Sequence, residues 1–85
     1  MRIRMYSIMD RMINEAAPPW FAHNDEDAKR QFRMVAMEPN SMIGRNPDDY
    51  TLWFVGEFDK ETMEMLPEKP EVVPFGNPLS GEEEK

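Results

Sequence analysis

The sequence lacks the residue types on which much small-protein chemistry depends. It has no cysteine, a single histidine, His23, and only four glycines among its 85 residues. The absence of cysteine excludes disulfides and thiolate metal sites, and it fits a reducing cytoplasm. The few glycines are too scattered to form a glycine-rich phosphate loop.

Long apolar runs are also missing. No segment approaches the roughly 20 apolar residues that a helix needs to span a bilayer. The apolar opening segment is interrupted by Asp10 and Arg11 and has no small-residue cleavage site, so it does not have the pattern of a signal peptide. We therefore expect a soluble intracellular protein that makes no membrane contact.

Charge is distributed unevenly along the chain, whose net charge is −7. Residues 1–46 carry seven bases and six acids, whereas residues 47–85 carry three bases and eleven acids. Because the chain as a whole repels a phosphate backbone, any contact with DNA must come from a local basic patch in the N-terminal half.

The C-terminal part has the composition of a tail. From Pro67 onward the sequence is rich in proline, glycine and glutamate and poor in apolar residues. We predict one domain over residues 1–66 and a flexible, acidic tail over residues 67–85. A domain of that size buries only about 60% of its unfolded surface, so its core is marginal and a dimer or a bound partner would stabilise it.

The order of predicted elements is strand, helix, strand, strand. Residues 2–9 alternate as a strand, and residues 10–22 read as a loop because Pro18 and Pro19 interrupt regular structure. A helix begins after Asn24 as N-cap and ends before Glu38. Residues 50–58 form the strongest strand and return through a hairpin that ends at Pro67. This order predicts an α+β fold: a small antiparallel β-α-β-β sheet with one helix packed on a face and a disordered acidic C-terminal tail.

The strand over residues 50–58 is apolar on both faces. Tyr50, Leu52 and Phe54 point one way, whereas Trp53 and Val55 point the other. One face can receive the helix, and the other needs a cover: the Pro18–Phe21 loop, a second subunit or a ligand. Gly56 is placed to form a bulge that resets the alternation.

Two patterns suggest catalysis at first sight. Pro47-Asp48 followed by Glu57 approaches the carboxylate pattern of metal-dependent nucleases, but the lysine stands one position too late, at Lys60, and would point to the wrong face of the strand. His23 lies beside three acids, which a helix N-terminus explains without a metal. We predict no catalytic residues, no metal site and no cofactor.

The candidate DNA-binding residues are basic or aromatic. Lys29, Arg30 and Arg33 lie on the predicted outer face of the helix, where they can contact phosphates together with Arg2 and Arg4 from the first strand, and Tyr6 or Trp53 can stack on bases. The alternative reading is an ordinary solvated helix face and an ordinary aromatic core.

Four segments together carry a family resemblance: MRIRMYSIMD at the start, Pro-Pro-Trp-Phe, AKRQF in the helix, and NPDDYTLWFVGEFDKET. Over residues 1–66 the chain resembles the small non-structural protein of gokushovirus-type phages, single-stranded DNA phages of the Microviridae that carry no tail. The resemblance implies a non-enzymatic DNA-binding protein that acts in viral DNA replication or packaging, in the cytoplasm of the bacterial host. The alternative is a homo-oligomeric adaptor, such as a dimer, that contacts phage or host replication proteins without binding DNA.

Overall fold

The structure, a computed structural model, describes residues 1–38 and 40–74. These residues form one curled antiparallel sheet and one main helix, which confirms the predicted α+β class. The strands are β1 (Arg2–Asp10), β2 (Glu15–Ala16), β3 (Trp20–Ala22), β4 (Tyr50–Asp59) and β5 (Met65–Val72). The helices are α1 (Asp25–Ala36) and the short α2 (Met42–Arg45), and a 3-10 turn covers Pro47–Asp49.

Strand β1 lies in the interior of the sheet. It pairs along one edge with β4, and along its other edge with β2 and then β3. The prediction of a loop over residues 10–22 is therefore wrong in two places. Pro18 and Pro19 interrupt the pairing, as expected for residues without a backbone N–H, but the short segments on either side still pair with β1.

The predicted bulge at Gly56 is confirmed. The pairing of β4 with both neighbouring strands shifts register next to this residue. Gly56 has a φ of 149°, and a Cβ atom there would lie 2.6 Å from the carbonyl oxygen of Leu66. The bulge therefore requires glycine both for its backbone conformation and for its close contact with β5.

Strand β5 continues past Pro67 to Val72, so the predicted end of the folded chain at residue 66 is too early. Trp53 pairs with Val72, and the N–H of Val73 donates to the carbonyl of Leu52. An edge strand tolerates Pro67 and Pro70 because only one of its sides needs ladder hydrogen bonds. The predicted tail from residue 75 onward lies outside the described residues.

Helix α1 begins where its sequence predicts. The side chain of Asn24 accepts a hydrogen bond of 2.8 Å from the backbone N–H of Asp27, which confirms the N-cap. The predicted position of Lys29 on the outer face is wrong, because the residue is only 6% exposed. At about 100° per residue, Lys29 lies only about 20° around the helix axis from the buried Ala36, so the core side of the helix includes it.

The core lies between the sheet and α1. It contains Tyr6, Ala22, Ala28, Phe32, Leu52 and Val73. Trp20 and Phe54 pack against this cluster, as do Ile8, Ile43 and Tyr50. We call this side of the sheet the helix face and the other side the open face. Among the described residues, no helix has both the length and the hydropathy to cross a membrane.

Candidate binding surface

The open face is apolar over the described residues that strand pairing places on it. Strand pairing assigns it the following residues, which Val55 and Pro70 of the groove described below join: Ile3, Met5, Ser7, Met9, Ala16, Phe21, Thr51, Trp53, Phe58, Met65, Pro67 and Val72. Each of these side chains is uncharged, in a chain of which 32% of the residues are charged. Such depletion of charge is typical of surfaces that become buried in a contact.

A groove of about 300 Å³ crosses the open face beside Trp53. Its lining residues all belong to strands: Ser7, Met9, Ala16, Trp53, Val55 and Pro70. The indole Nε1 donates to the hydroxyl of Thr51 at 2.9 Å, so the polar atom of the ring is satisfied within its own strand. The groove therefore presents apolar surface, and it has room for one large side chain of another molecule.

An aromatic ridge stands at the other end of the open face. The rings of Phe21 and Phe58 lie with their centroids 5.5 Å apart, and Phe21 is 44% exposed. The Pro18–Phe21 segment was one predicted cover for Trp53, and the structure corrects this: Trp20 packs on the core at the helix face, whereas Phe21 joins the ridge. The next residue, Ala22, is buried on the helix face, as strand alternation requires.

The predicted DNA-contacting cations lie on the other side of the sheet, and four of the five have an acidic partner. Arg2 pairs with Glu57 at 3.3 Å, and Arg30 pairs with Asp27 at 2.6 Å. The Nζ of Lys29 lies 3.3 Å from Glu26, at the rim of its buried site. Arg33 lies half-buried on the same helix. These acidic partners neutralise much of the positive potential that phosphate binding would use.

Arg4 and Tyr6 belong to a network that joins β1 to the start of α1. The guanidinium of Arg4 lies 3.9 Å from the centroid of the Phe54 ring, and its Nε donates to the Tyr6 hydroxyl at 2.7 Å. That hydroxyl donates in turn to Oδ1 of Asp25 at 2.6 Å. Burial, followed by the hydrogen bond to Asp25, raises the pKa of Tyr6 to about 12.

Tyr6 is therefore excluded as a residue that stacks on bases. Its side chain is 0% exposed, so a base cannot reach the ring in this fold. Trp53 stays accessible but lies on the open face, whereas Arg2, Arg4, Lys29, Arg30 and Arg33 lie on the helix side. The structure therefore separates the predicted phosphate contacts from the predicted stacking residue by the thickness of the sheet.

The sequence of the folded part also carries a family signature. A family model described as Phage ORF5 protein matches residues 3–77. The chain belongs to this phage protein family. The match extends through β5, as the strand pairing does. It confirms the resemblance to a phage protein, while the gokushovirus lineage stays a prediction. Searches of curated proteins and of solved structures gave no match.

Several residues of this phage protein's open face were not predicted as functional. Met9, Phe21 and Phe58 contribute to the groove or the ridge, whereas Trp53 was the only residue of this face predicted to bind a ligand. A usable signal was the alternation of β1, in which Ile3, Met5, Ser7 and Met9 are all uncharged. Among the described residues, no group of three His, Asp or Glu side chains is placed to hold a metal ion.

Proposed function

We propose that this member of the Phage ORF5 family is a non-enzymatic adaptor. It binds proteins through the open face and serves phage DNA replication or packaging through phage or host replication proteins. The observation that supports this function best is the apolar groove of the open face beside Trp53. A protein partner can bury such a face without leaving a charge unpaired.

Electrostatics favour a protein partner over DNA. Affinity for nucleic acid comes largely from cations that neutralise phosphates. Here Arg2, Arg4 and Arg30 each lie within 4.0 Å of a carboxylate, and the chain carries a net charge of −7. Binding of DNA would require these ion pairs to open against the repulsion of the whole chain.

Direct binding of single-stranded DNA is the second candidate function. It is favoured by the accessible aromatic residues of the open face, Trp53 and Phe21, because single-strand binders stack bases on aromatic side chains of a sheet. In this function the exposed Arg2 and Arg30 at the borders of the molecule would meet the phosphates.

A titration of labelled single-stranded DNA at low and at moderate salt separates the two functions. The adaptor function predicts no binding even at low salt. Binding that weakens as salt rises, and that is lost in Arg30→Glu, would overturn the adaptor function in favour of direct DNA binding.

Recovery of partners gives the positive test. Tagged wild-type protein, purified from phage-infected cells, is expected to retain a phage or host replication protein. Val55→Glu places a carboxylate in the groove and should lose that partner, whereas Val35→Glu makes the same change on α1, on the other side of the sheet, and should keep it. Equal recovery by both variants would contradict the assignment of the open face.

A further inference from the structure

We propose that the open face binds a second copy of the same chain, so that the protein is a symmetric dimer with the two sheets packed face to face. The inference rests on the proposed function in using the same surface, and it names a second copy of the chain as an occupant with which a replication protein would compete. Its support comes from the shape, the charge and the area of the open face.

The shape of the open face is self-complementary. The groove lies beside Ser7, Met9 and Trp53, whereas the ridge of Phe21 and Phe58 lies beside Ile3 and Met5. The paired residues Ser7–Trp53 and Ile3–Phe58 are four positions apart along β1, which corresponds to about 13 Å. A twofold axis that lies between the two sheets, parallel to them and perpendicular to β1 near Met5, would therefore place the ridge of each copy over the groove of the other.

Electrostatic repulsion between two copies favours a contact through the open face. Each chain has a net charge of −7, so two copies repel each other over most of their surfaces. The side chains that pairing assigns to the open face are uncharged, so packing these residues against each other brings no like charges into contact. The repulsion of the rest of each chain is screened by salt, so added salt should strengthen the dimer.

The area is sufficient for a weak dimer. The sheet is four strands wide, with strands about 4.8 Å apart and about 30 Å long. Its open face therefore has an area of roughly 570 Å² per copy, or about 1,100 Å² for both copies. A specific interface needs about 1,000 Å² or more in total, and the standard size is about 1,600 Å². We therefore expect a dissociation constant in the micromolar range rather than an obligate dimer.

Trp53 provides a direct reporter of this contact. The chain has two tryptophans, and Trp20→Phe leaves Trp53 as the only one. The proposal predicts that the Trp53 emission shifts to the blue as protein concentration rises, in parallel with the mass measured by sedimentation. A mass of one 10.0 kDa chain at every concentration would overturn the proposal. An emission that stays constant while the mass rises from one chain to two would also overturn it, because the contact between the copies would then lie away from Trp53.

Matched variants locate the contact. Val55→Glu in the groove should weaken dimerisation at least tenfold, whereas Val35→Glu on α1 should leave it unchanged. Val72→Glu is a second variant on the open face; Val72 is 52% exposed, which makes loss of folding an unconvincing explanation for its effect. Circular dichroism confirms that each variant is folded. A dimer that persists in both open-face variants would place the contact elsewhere.

The salt dependence distinguishes the dimer from the proposed adaptor function and from DNA binding. Self-association should strengthen from low to moderate salt, whereas any binding of DNA should weaken over the same range. A strictly monomeric protein that still recovers a replication protein through the open face would overturn the dimer and leave the adaptor function standing. A dimer that recovers no partner and binds no DNA would overturn the adaptor function and leave the dimer standing.

Discussion

The hydroxyl of Tyr6 donates a hydrogen bond of 2.6 Å to Oδ1 of Asp25, and this contact joins the central strand of the sheet to the first turn of α1. Arg4 donates to the same hydroxyl and lies within 3.4 Å of the same carboxylate. The cluster ties together two elements that are adjacent in space but 19 residues apart in the chain. Its energetic contribution can be measured because a single atom, the Tyr6 oxygen, is common to both hydrogen bonds.

Tyr6→Phe should lower the free energy of unfolding by about 1–2 kcal/mol. The variant keeps the buried ring but leaves the Nε of Arg4 without its acceptor and removes a hydrogen bond to a charged group. Urea denaturation measures the change. Tyr50→Phe, a half-buried tyrosine at the border of the core, is the matched control and should lose less. Equal losses would mean that the Asp25 contact contributes nothing beyond an ordinary tyrosine hydroxyl.

The same tyrosine should make stability fall at alkaline pH. Burial and the Asp25 hydrogen bond raise the pKa of Tyr6 from 10.0 to about 12, so the unfolded chain releases this proton before the folded chain does. The contribution is therefore complete below pH 10 and is lost as pH rises towards about 12. Denaturation across this range should show a steeper loss in the wild type than in Tyr6→Phe. The slope of the variant need not vanish, because burial also raises the pKa of Tyr50.

Gly56→Ala should be among the most damaging single substitutions in the chain. The alanine would have to adopt a φ of 149°, and its Cβ would lie 2.6 Å from the Leu66 carbonyl oxygen and 2.9 Å from Cα of Pro67. Strain and steric overlap together should cost at least about 3 kcal/mol, a large share of the stability of so small a domain. Thermal unfolding measures this loss.

Val55→Ala, one residue earlier in β4, is the control. It should lose less stability, since it only removes two methyl groups from a half-buried side chain. A Gly56→Ala variant as stable as the wild type would show that the bulge does not need glycine.

Local signals in the sequence predicted the elements that depend on neighbouring residues. The Asn24 cap, the start of α1, the strand after residue 50 and the Gly56 bulge all follow from residues within a few positions of each other. The division of β4 into a core side with Leu52 and an opposite side with Trp53 also followed from simple alternation.

The parts that the sequence did not predict depend on distant pairing. Strands β2 and β3 have two and three residues, too few for a period, and form because the outer edge of β1 supplies partners. Strand β5 contains Pro67 and Pro70, which locally argue against a strand but are acceptable at a sheet edge. The separation of Trp53 from the cations, on which the adaptor proposal draws, likewise appears only when β1 and β4 are paired.

Lys29 gives a final test of where the basic residues of α1 lie. Its stem is buried and its Nζ meets Glu26 at 3.3 Å, so Lys29→Met, which keeps the stem, should change the free energy of unfolding by less than about 1 kcal/mol. Lys29→Glu should cost at least about 2 kcal/mol, because it places a carboxylate in a buried site next to Glu26.

Arg30, the next residue, is the matched control, because its side chain is 70% exposed. The free energies of unfolding of Arg30→Met and Arg30→Glu should differ by less than about 0.5 kcal/mol. If Lys29→Glu proves as stable as Arg30→Glu, the Lys29 side chain lies in water and is again a candidate for phosphate contact. If the two substitutions at Lys29 differ as expected, the helix presents Arg30 rather than Lys29 to the solvent, and a continuous basic patch on α1 is excluded as the basis of DNA binding.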